Sequence, residues 1–194
     1  MKGSRRAPRR VLQQRARIYL RAPVPEDRDE FLALNRASAR LYRGKASPMT
    51  SARAFAAYLA RCQRPDFAGL LVCRVDTGGI VGVFNVGQIF RGVFRSAYLG
   101  YQVFAPHAGQ GYMTDAMPLV LRHVFVTLRL HRIEANIQPT NRASLALVKR
   151  AGFTREGFSR RYLKIGGRWR DHERWALLVE DWRAQRRGAR RTGA

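Results

Sequence analysis

Cysteine is scarce: Cys62 and Cys73 are the only two among 194 residues. Two thiols build no disulfide framework, and no Cys/His cluster has zinc spacing, so no metal site is expected. Both fall in apolar stretches and read as small buried hydrophobes of a reducing compartment. With 8 Pro, 17 Gly and 46% hydrophobic residues, the chain is neither collagen-like nor disordered. No apolar run approaches the ~18 residues that span a bilayer, which excludes an integral membrane protein. The basic first residues lack an apolar core segment and are not a secretory signal, so a cytoplasmic location is expected.

Acids are also scarce, and this is the loudest feature. Thirteen Asp and Glu face 37 Lys and Arg, a net charge of +24. The first acid in the chain is Glu26. Such an imbalance calls for a polyanionic neighbour, with nucleic acid or a ribosome ahead of a membrane surface. Much of the charge sits at the ends. Residues 1–16 and 183–194 carry no acid and no period able to bury a face, so both read as flexible basic arms around a domain at 17–182. An Arg-rich genome is the competing reading of the same bias.

Within 17–182 the hydrophobic periods alternate between types. Arg17 to Arg21 reads as a strand, and two helices follow near 26–34 and 50–62. Strands 70–75 and 80–86 flank the hairpin signal Asp76-Thr77-Gly78-Gly79, and a third covers Ser96–Phe104. A helix is expected over 112–128, a strand over 133–138 and a helix over 141–150 stopped by Gly152. Two strands near 158–165 and 168–179 close the domain around Gly166-Gly167. The order is β-α-α-β-β-β-α-β-α-β-β, which predicts an α+β fold with a mixed sheet and helices on its faces.

Gly109-Gln110-Gly111-Tyr112-Met113-Thr114 joins a strand to a helix. Glycines there let successive amides converge on an anion, and the helix adds its unpaired N–H groups. Alone, the motif is equally a tight turn, and it matches neither the dinucleotide nor the Walker pattern.

The wider constellation resembles the GNAT superfamily of N-acetyltransferases, and within it the ribosomal-protein-alanine N-acetyltransferases. It comprises Ala97-Tyr98-Leu99-Gly100-Tyr101, Gly109-Gln110-Gly111, His131-Arg132-Ile133, Asn141-Arg142-Ala143-Ser144, Gly152-Phe153 and Gly166-Gly167-Arg168-Trp169-Arg170-Asp171-His172. The resemblance implies the acyl-CoA N-acyltransferase fold, a mostly antiparallel sheet, with acetyl-CoA as cosubstrate. It implies a splayed strand whose Gln102 and Val103 pair with pantetheine. The amides of Gly109, Gln110, Gly111, Tyr112, Met113 and Thr114 would hold the pyrophosphate, and Asn141 would contact the cosubstrate while capping its helix. Three departures weaken the pattern: Ala108 and Met113 at the ends of the loop, and Pro118 inside the following helix.

The catalytic groups are less regular. Asn136 stands where relatives often carry a glutamate, and Val148 where they carry a general-acid Tyr. Glu134, on the same strand face as Asn136, is the nearest candidate base, with a structural ion pair to an Arg as its alternative. Ser144 matches an acid of some relatives, or is a solvated helix serine. Asp171 and His172, adjacent on a strand, point to opposite faces and make no dyad. Trp169, Trp175 and Trp182 read as core. An N-terminal α-amine, with pKa ~7.7–8.0, needs less help from a base than a lysine at ~10.4. The expected acceptor is therefore a protein N-terminus, ribosomal in the resemblance, with ribosome or RNA contact through the basic arms. The alternatives are acetylation of a small amine and a non-catalytic RNA-binding protein that keeps the fold.

Overall fold

The computed structural model describes residues 11–45 and 48–191. Eight strands form one sheet in the order β1-β2-β3-β4-β5-β6-β8-β7. They are β1 (Val11–Gln14), β2 (Ile18–Arg21), β3 (Phe67–Arg74), β4 (Ile80–Gly87), β5 (Ser96–Val103), β6 (Arg132–Ile137), β7 (Thr154–Ile165) and β8 (Arg168–Leu178). Only β5 and β6 pair in parallel, and every other neighbouring pair is antiparallel. The helices are α1 (Arg28–Ser38), α2 (Ala52–Cys62), α3 (Tyr112–Arg122), α4 (Arg142–Arg150) and α5 (Val179–Arg191). The expected α+β architecture and element order are present, with β1 added in front and α5 behind.

Both sheet faces are covered, which explains the continuous apolar run of β3. Leu70 and Val72 join the core shared with α3, α4 and α5, while Leu71 and Cys73 join the core formed with α1 and α2. Alternation on a pleated strand sends neighbours to opposite faces, so a strand buried twice shows no polar positions. Burial pushes the Cys73 thiol up to about 11, which keeps it protonated and inert. Ser51 caps α2 by accepting from the Ala54 N–H at 3.2 Å. Pro118 lies inside α3, whose end runs into a π-helical turn over His123–Thr127.

The basic ends depart from expectation where the structure describes them. Residues 1–10 and 192–194 lie outside the described residues. Val11–Gln14, read as part of an arm, pair with β2, and Leu12 packs on the core. Residues 183–191, read as a tail, continue α5. That helix is anchored by buried Val179 and Trp182, and by Gln185 Nε2 donating to the Gly152 carbonyl at 3.3 Å. Its apolar stripe ends after one turn, too short to register as a period. Trp175 and Trp182 are core as expected, but Trp169 is exposed.

One charged pair sits wholly inside. Arg21 is 1% and Asp27 0% exposed, joined by Nη1–Oδ2 at 2.6 Å and Nη2–Oδ1 at 2.8 Å. Asp27 also accepts from the Val24 N–H at 2.8 Å, fixing the turn into α1. Burial is the largest single influence and works against the Arg21 charge, but the bond to Asp27, together with the Asp27 charge, Cys73 and Tyr19, outweighs it and holds the guanidinium above its ordinary range. Removing one partner strands the other charge. Asp27→Asn is therefore expected to lose about 3–5 kcal/mol in urea unfolding. Arg21→Met with Asp27→Leu should recover part of this, short by the orphaned Val24 N–H. A single mutant within 1 kcal/mol of wild type would show the pair to be dispensable.

Candidate active site

The site begins where two strands part. β5 and β6 pair through Ser96–Arg132, Ala97–Ile133 and Tyr98–Glu134, and the ladder stops there. β5 continues to Val103 and β6 to Ile137 without each other. Phe104 N–H bonds Val81 O at 2.9 Å, across β4. Strand backbone groups alternate in direction, so Gln102 also faces β4, while Val103 and Tyr101 turn theirs to the opening. Of the two strand residues expected to pair with pantetheine, Val103 has the suitable direction and Gln102 does not. The Gln102 side chain instead donates to Asn35 Oδ1 at 3.2 Å.

A residue without any sequence signal closes on Val103. Tyr42 Oη donates to the Val103 carbonyl at 2.8 Å and accepts from its N–H at 2.9 Å. Burial raises the Tyr42 phenol, so it keeps its proton.

Beyond β5 the loop enters α3. Gly109 (φ 77°) and Gly111 (φ 79°) are both left-handed, a region costly for any residue with a Cβ. A Cβ on Gly111 would meet Arg17 Nη2 at 3.0 Å, a tight contact that the arginine end would have to yield to, so the left-handed φ is the firmer demand for glycine. The first helical bond runs from Asp115 N–H to Gly111 O. The N–H groups of Tyr112, Met113 and Thr114 therefore stand outside the bonding of the helix itself. Asn141 caps α4, its Oδ1 accepting from the Ser144 N–H at 3.4 Å.

Two cavities flank the opening. The smaller, about 320 Å³, is lined by Tyr42, Tyr101, Gln102, Val103, Gly109, Gly111, Tyr112, Met113, Thr114, Asn141 and Ser144, with Lys45 and Arg150 as its cations. It gathers the expected cosubstrate residues except Gln110, whose side chain turns back to the Pro106 carbonyl at 3.0 Å. The larger, about 740 Å³, is lined by Tyr58, Arg61, Asn85, Gln88, Tyr98, Gly100, Asn136, Tyr162 and apolar neighbours. Asn136 Oδ1 is buried without a hydrogen-bond partner among the described residues. Neither lining contains an Asp or Glu.

The candidate base is thus not at the opening. Glu134 lines neither cavity and accepts from Arg132 Nε at 2.8 Å, the ion-pair alternative of the sequence reading. Arg132 in turn holds Glu156, and that contact first of all keeps the Glu156 carboxyl below its ordinary range. Ser144 does reach the smaller cavity, and its carbonyl accepts from Tyr101 Oη at 3.3 Å. Burial pushes the Tyr101 phenol up to about 12. Val148 is fully buried. His172 is buried and bonded to the Arg170 carbonyl at 3.0 Å, while exposed Asp171 accepts from the Arg161 N–H, so the two form no dyad.

A loop of free amides on a helix end, beside strands that part, is a cradle for a phosphate-bearing chain. The polar atoms present fit an elongated, anionic cosubstrate such as acetyl-CoA: free amides and cations at one end, and at the other a strand edge with no neighbouring strand, capped at Val103 by the Tyr42 hydroxyl.

Comparison with known proteins agrees. Residues 17–154 match the Acetyltransferase (GNAT) domain family. Over 107 residues the chain is 41% identical to the ribosomal protein uS5-alanine N-acetyltransferase of Escherichia coli (strain K12), covering 55% of each. The chain thus spans about half the length of the curated relatives it matches. It is similar to Mycobacterium smegmatis RimJ, solved in complex with CoA-disulfide, with a TM-score of 0.76 and 28% identity over 84% of this chain and 82% of that one. Spermidine N-acetyltransferase from Vibrio cholerae, in complex with CoA and spermine, shares the fold at a TM-score of 0.74 and 22% identity, over 85% of this chain and 97% of that one. No described helix is long and apolar enough to cross a membrane, and no described group of three or more His, Cys, Asp or Glu could hold a metal. Because the family match runs from β2 to the start of β7, through every element that builds the cradle, the chain belongs to the GNAT acetyltransferase family.

Proposed function

We propose that the protein transfers the acetyl group of acetyl-CoA to the N-terminal α-amine of a protein, with a ribosomal protein as substrate. Acetyl-CoA supplies a thioester carbonyl as electrophile and a thiolate as leaving group. The amides of Gly109 to Thr114 bind its pyrophosphate, with Lys45 and Arg150 adding charge. The backbone of Tyr101 and Val103 aligns the pantetheine arm, for which the Tyr42 hydroxyl must turn off Val103. Asn141 keeps α4 in place beside that arm, and Ser144 offers its hydroxyl as a proton donor.

The observation that carries the acceptor class is the absence of carboxylates from both cavity linings. Without a carboxylate to take its proton, the amine must arrive neutral or lose the proton to water. About 10–20% of an α-amine is neutral at pH 7, against well under ~0.1% of a lysine. A polyamine is disfavoured further, because among the described residues the charged group lining the larger cavity is Arg61. Positioning then supplies most of the acceleration. Glu134 as base has the weaker support, since Arg132 already engages it.

Contact with ribosomal RNA is the second part of the proposal. On α5, Arg183, Arg186 and Arg187 are exposed, and Arg186 lies 4.9 Å over the Trp182 ring. This is an ordered basic ridge in place of the arm expected from sequence.

Three outcomes are expected. Acetyl-CoA at a hundredfold excess over its dissociation constant should stabilise the protein by about 2.7 kcal/mol in thermal shift. Gly111→Glu should lose that stabilisation, and an undiminished shift in the folded mutant would take the loop out of the site. With an α-amine peptide, kcat/KM should rise about tenfold per pH unit below pH 7 and level near pH 8. A lysine peptide should keep rising beyond pH 9, and a flat profile for both would reveal a protein base. Finally, Arg183→Gln with Arg187→Gln should lower the slope of log K against log salt for ribosomal RNA by roughly 0.7–0.9 per lost contact. An unchanged slope would leave α5 without an RNA role.

A further inference from the structure

We propose that Arg17 is a positioning residue for the anion-binding loop, holding it from outside and cancelling a charge that opposes the ligand. The proposal rests on the acetyl-CoA reading for its ligand. Arg17 lies in the bend between β1 and β2, far in sequence from the loop. Its guanidinium nevertheless touches three points of the β5–α3 junction. Nη2 donates to the Gln110 carbonyl at 2.8 Å, Nε donates to Asp115 Oδ2 at 2.5 Å, and Cζ lies 4.8 Å from the centre of the Tyr112 ring.

The first consequence is geometric. The Gln110–Gly111 peptide is trans, so the Gly111 N–H points opposite to the Gln110 carbonyl. Tying that carbonyl to Arg17 turns the Gly111 N–H away from Arg17. The cavity lining is consistent: Gly109 and Gly111 face the cavity, and Gln110 does not. Through this contact Arg17 acts on the ligand by way of the backbone it orients.

The second consequence is electrostatic. Asp115 lies in the first turn of α3, where a carboxylate suits the helix dipole. The same end must accept a pyrophosphate, which that carboxylate repels. Paired with Arg17, Asp115 keeps its helix contribution while its charge is neutralised toward the ligand. A side chain that only anchored β1 to α3 would have no reason to contact both the carbonyl and the acid.

The test measures CoA binding by calorimetry and steady-state kinetics in the full chain. Arg17→Ala should weaken CoA binding and raise the KM for acetyl-CoA about tenfold, while kcat at saturation changes less than twofold. Arg17→Lys, which keeps the charge but loses the fork, should fall between. Asp115→Asn added to Arg17→Ala should restore the electrostatic part of the affinity. Without CoA, amide exchange over Gly109 to Thr114 should be faster in Arg17→Ala than in wild type. Unchanged affinity in folded Arg17→Ala, or a kcat that falls with it, would overturn the proposal. If wild type fails to bind CoA, the acetyl-CoA reading falls, and unaltered exchange in the loop would then sink the role of Arg17 on its own terms.

Discussion

The parting of β5 from β6 is the constraint on which the site depends. A parallel pair needs a crossover, and here the crossover is α3. The chain therefore leaves the end of β5 through a short loop into the N-terminus of α3, so a strand edge with no neighbouring strand, covered at Val103 by Tyr42, lies beside the free helix amides. Had β6 paired along all of β5, the edges of Tyr101 and Val103 would be occupied by ladder bonds. Antiparallel partners on both outer sides, β4 and β8, hold each strand in place while the gap stays open. The cradle is thus produced by topology, and the glycines only permit the loop to take its path.

Charge imbalance shapes the same site indirectly. With so few acids among so many arginines, nearly every carboxylate on the described surface is engaged. Asp115 is held by Arg17, Asp76 by Arg74, Glu134 and Glu156 by Arg132, and Glu173 by Arg155. Most of these pairs are exposed and contribute little to stability, up to about 1 kcal/mol each. None of these paired carboxylates lines either of the two cavities, which carry Lys45, Arg150 and Arg61 instead. Among the described residues the two cavities are thus free of carboxylate proton acceptors.

Local patterns carried the parts of the molecule that local physics decides. The hairpin at Asp76–Gly79, the cap at Asn141 and the strand–loop–helix at 96–122 were readable because turn chemistry, capping and periodicity act within a few residues. What escaped was set by partners distant in sequence. β1 is a strand because β2 offers it an edge, and α5 is a helix because one turn of it is anchored by Val179 and Trp182. Tyr42 has no motif, yet both backbone groups of Val103 answer to it across 61 positions. Glu134 was identified as acidic and on the right face, but a short-range reading could not weigh Arg132 against the opening. Likewise the direction of Gln102 follows from the bond between Phe104 and Val81, a register fact rather than a residue preference.

The two cavities differ in where their walls come from, and this bears on specificity. The smaller is built entirely from residues inside the family match at 17–154, the larger partly from Tyr162 and Leu163 on β7 beyond it. The strand that carries them is exposed along much of its length and continues past the end of β6. A wall free of the cradle can change its side chains without disturbing cosubstrate geometry. The buried, unpaired oxygen of Asn136 sits where these two parts meet. An orphaned acceptor costs about 1–3 kcal/mol unless something donates to it. Asn136 lines the larger cavity, so a polar group entering there would be placed to donate to it.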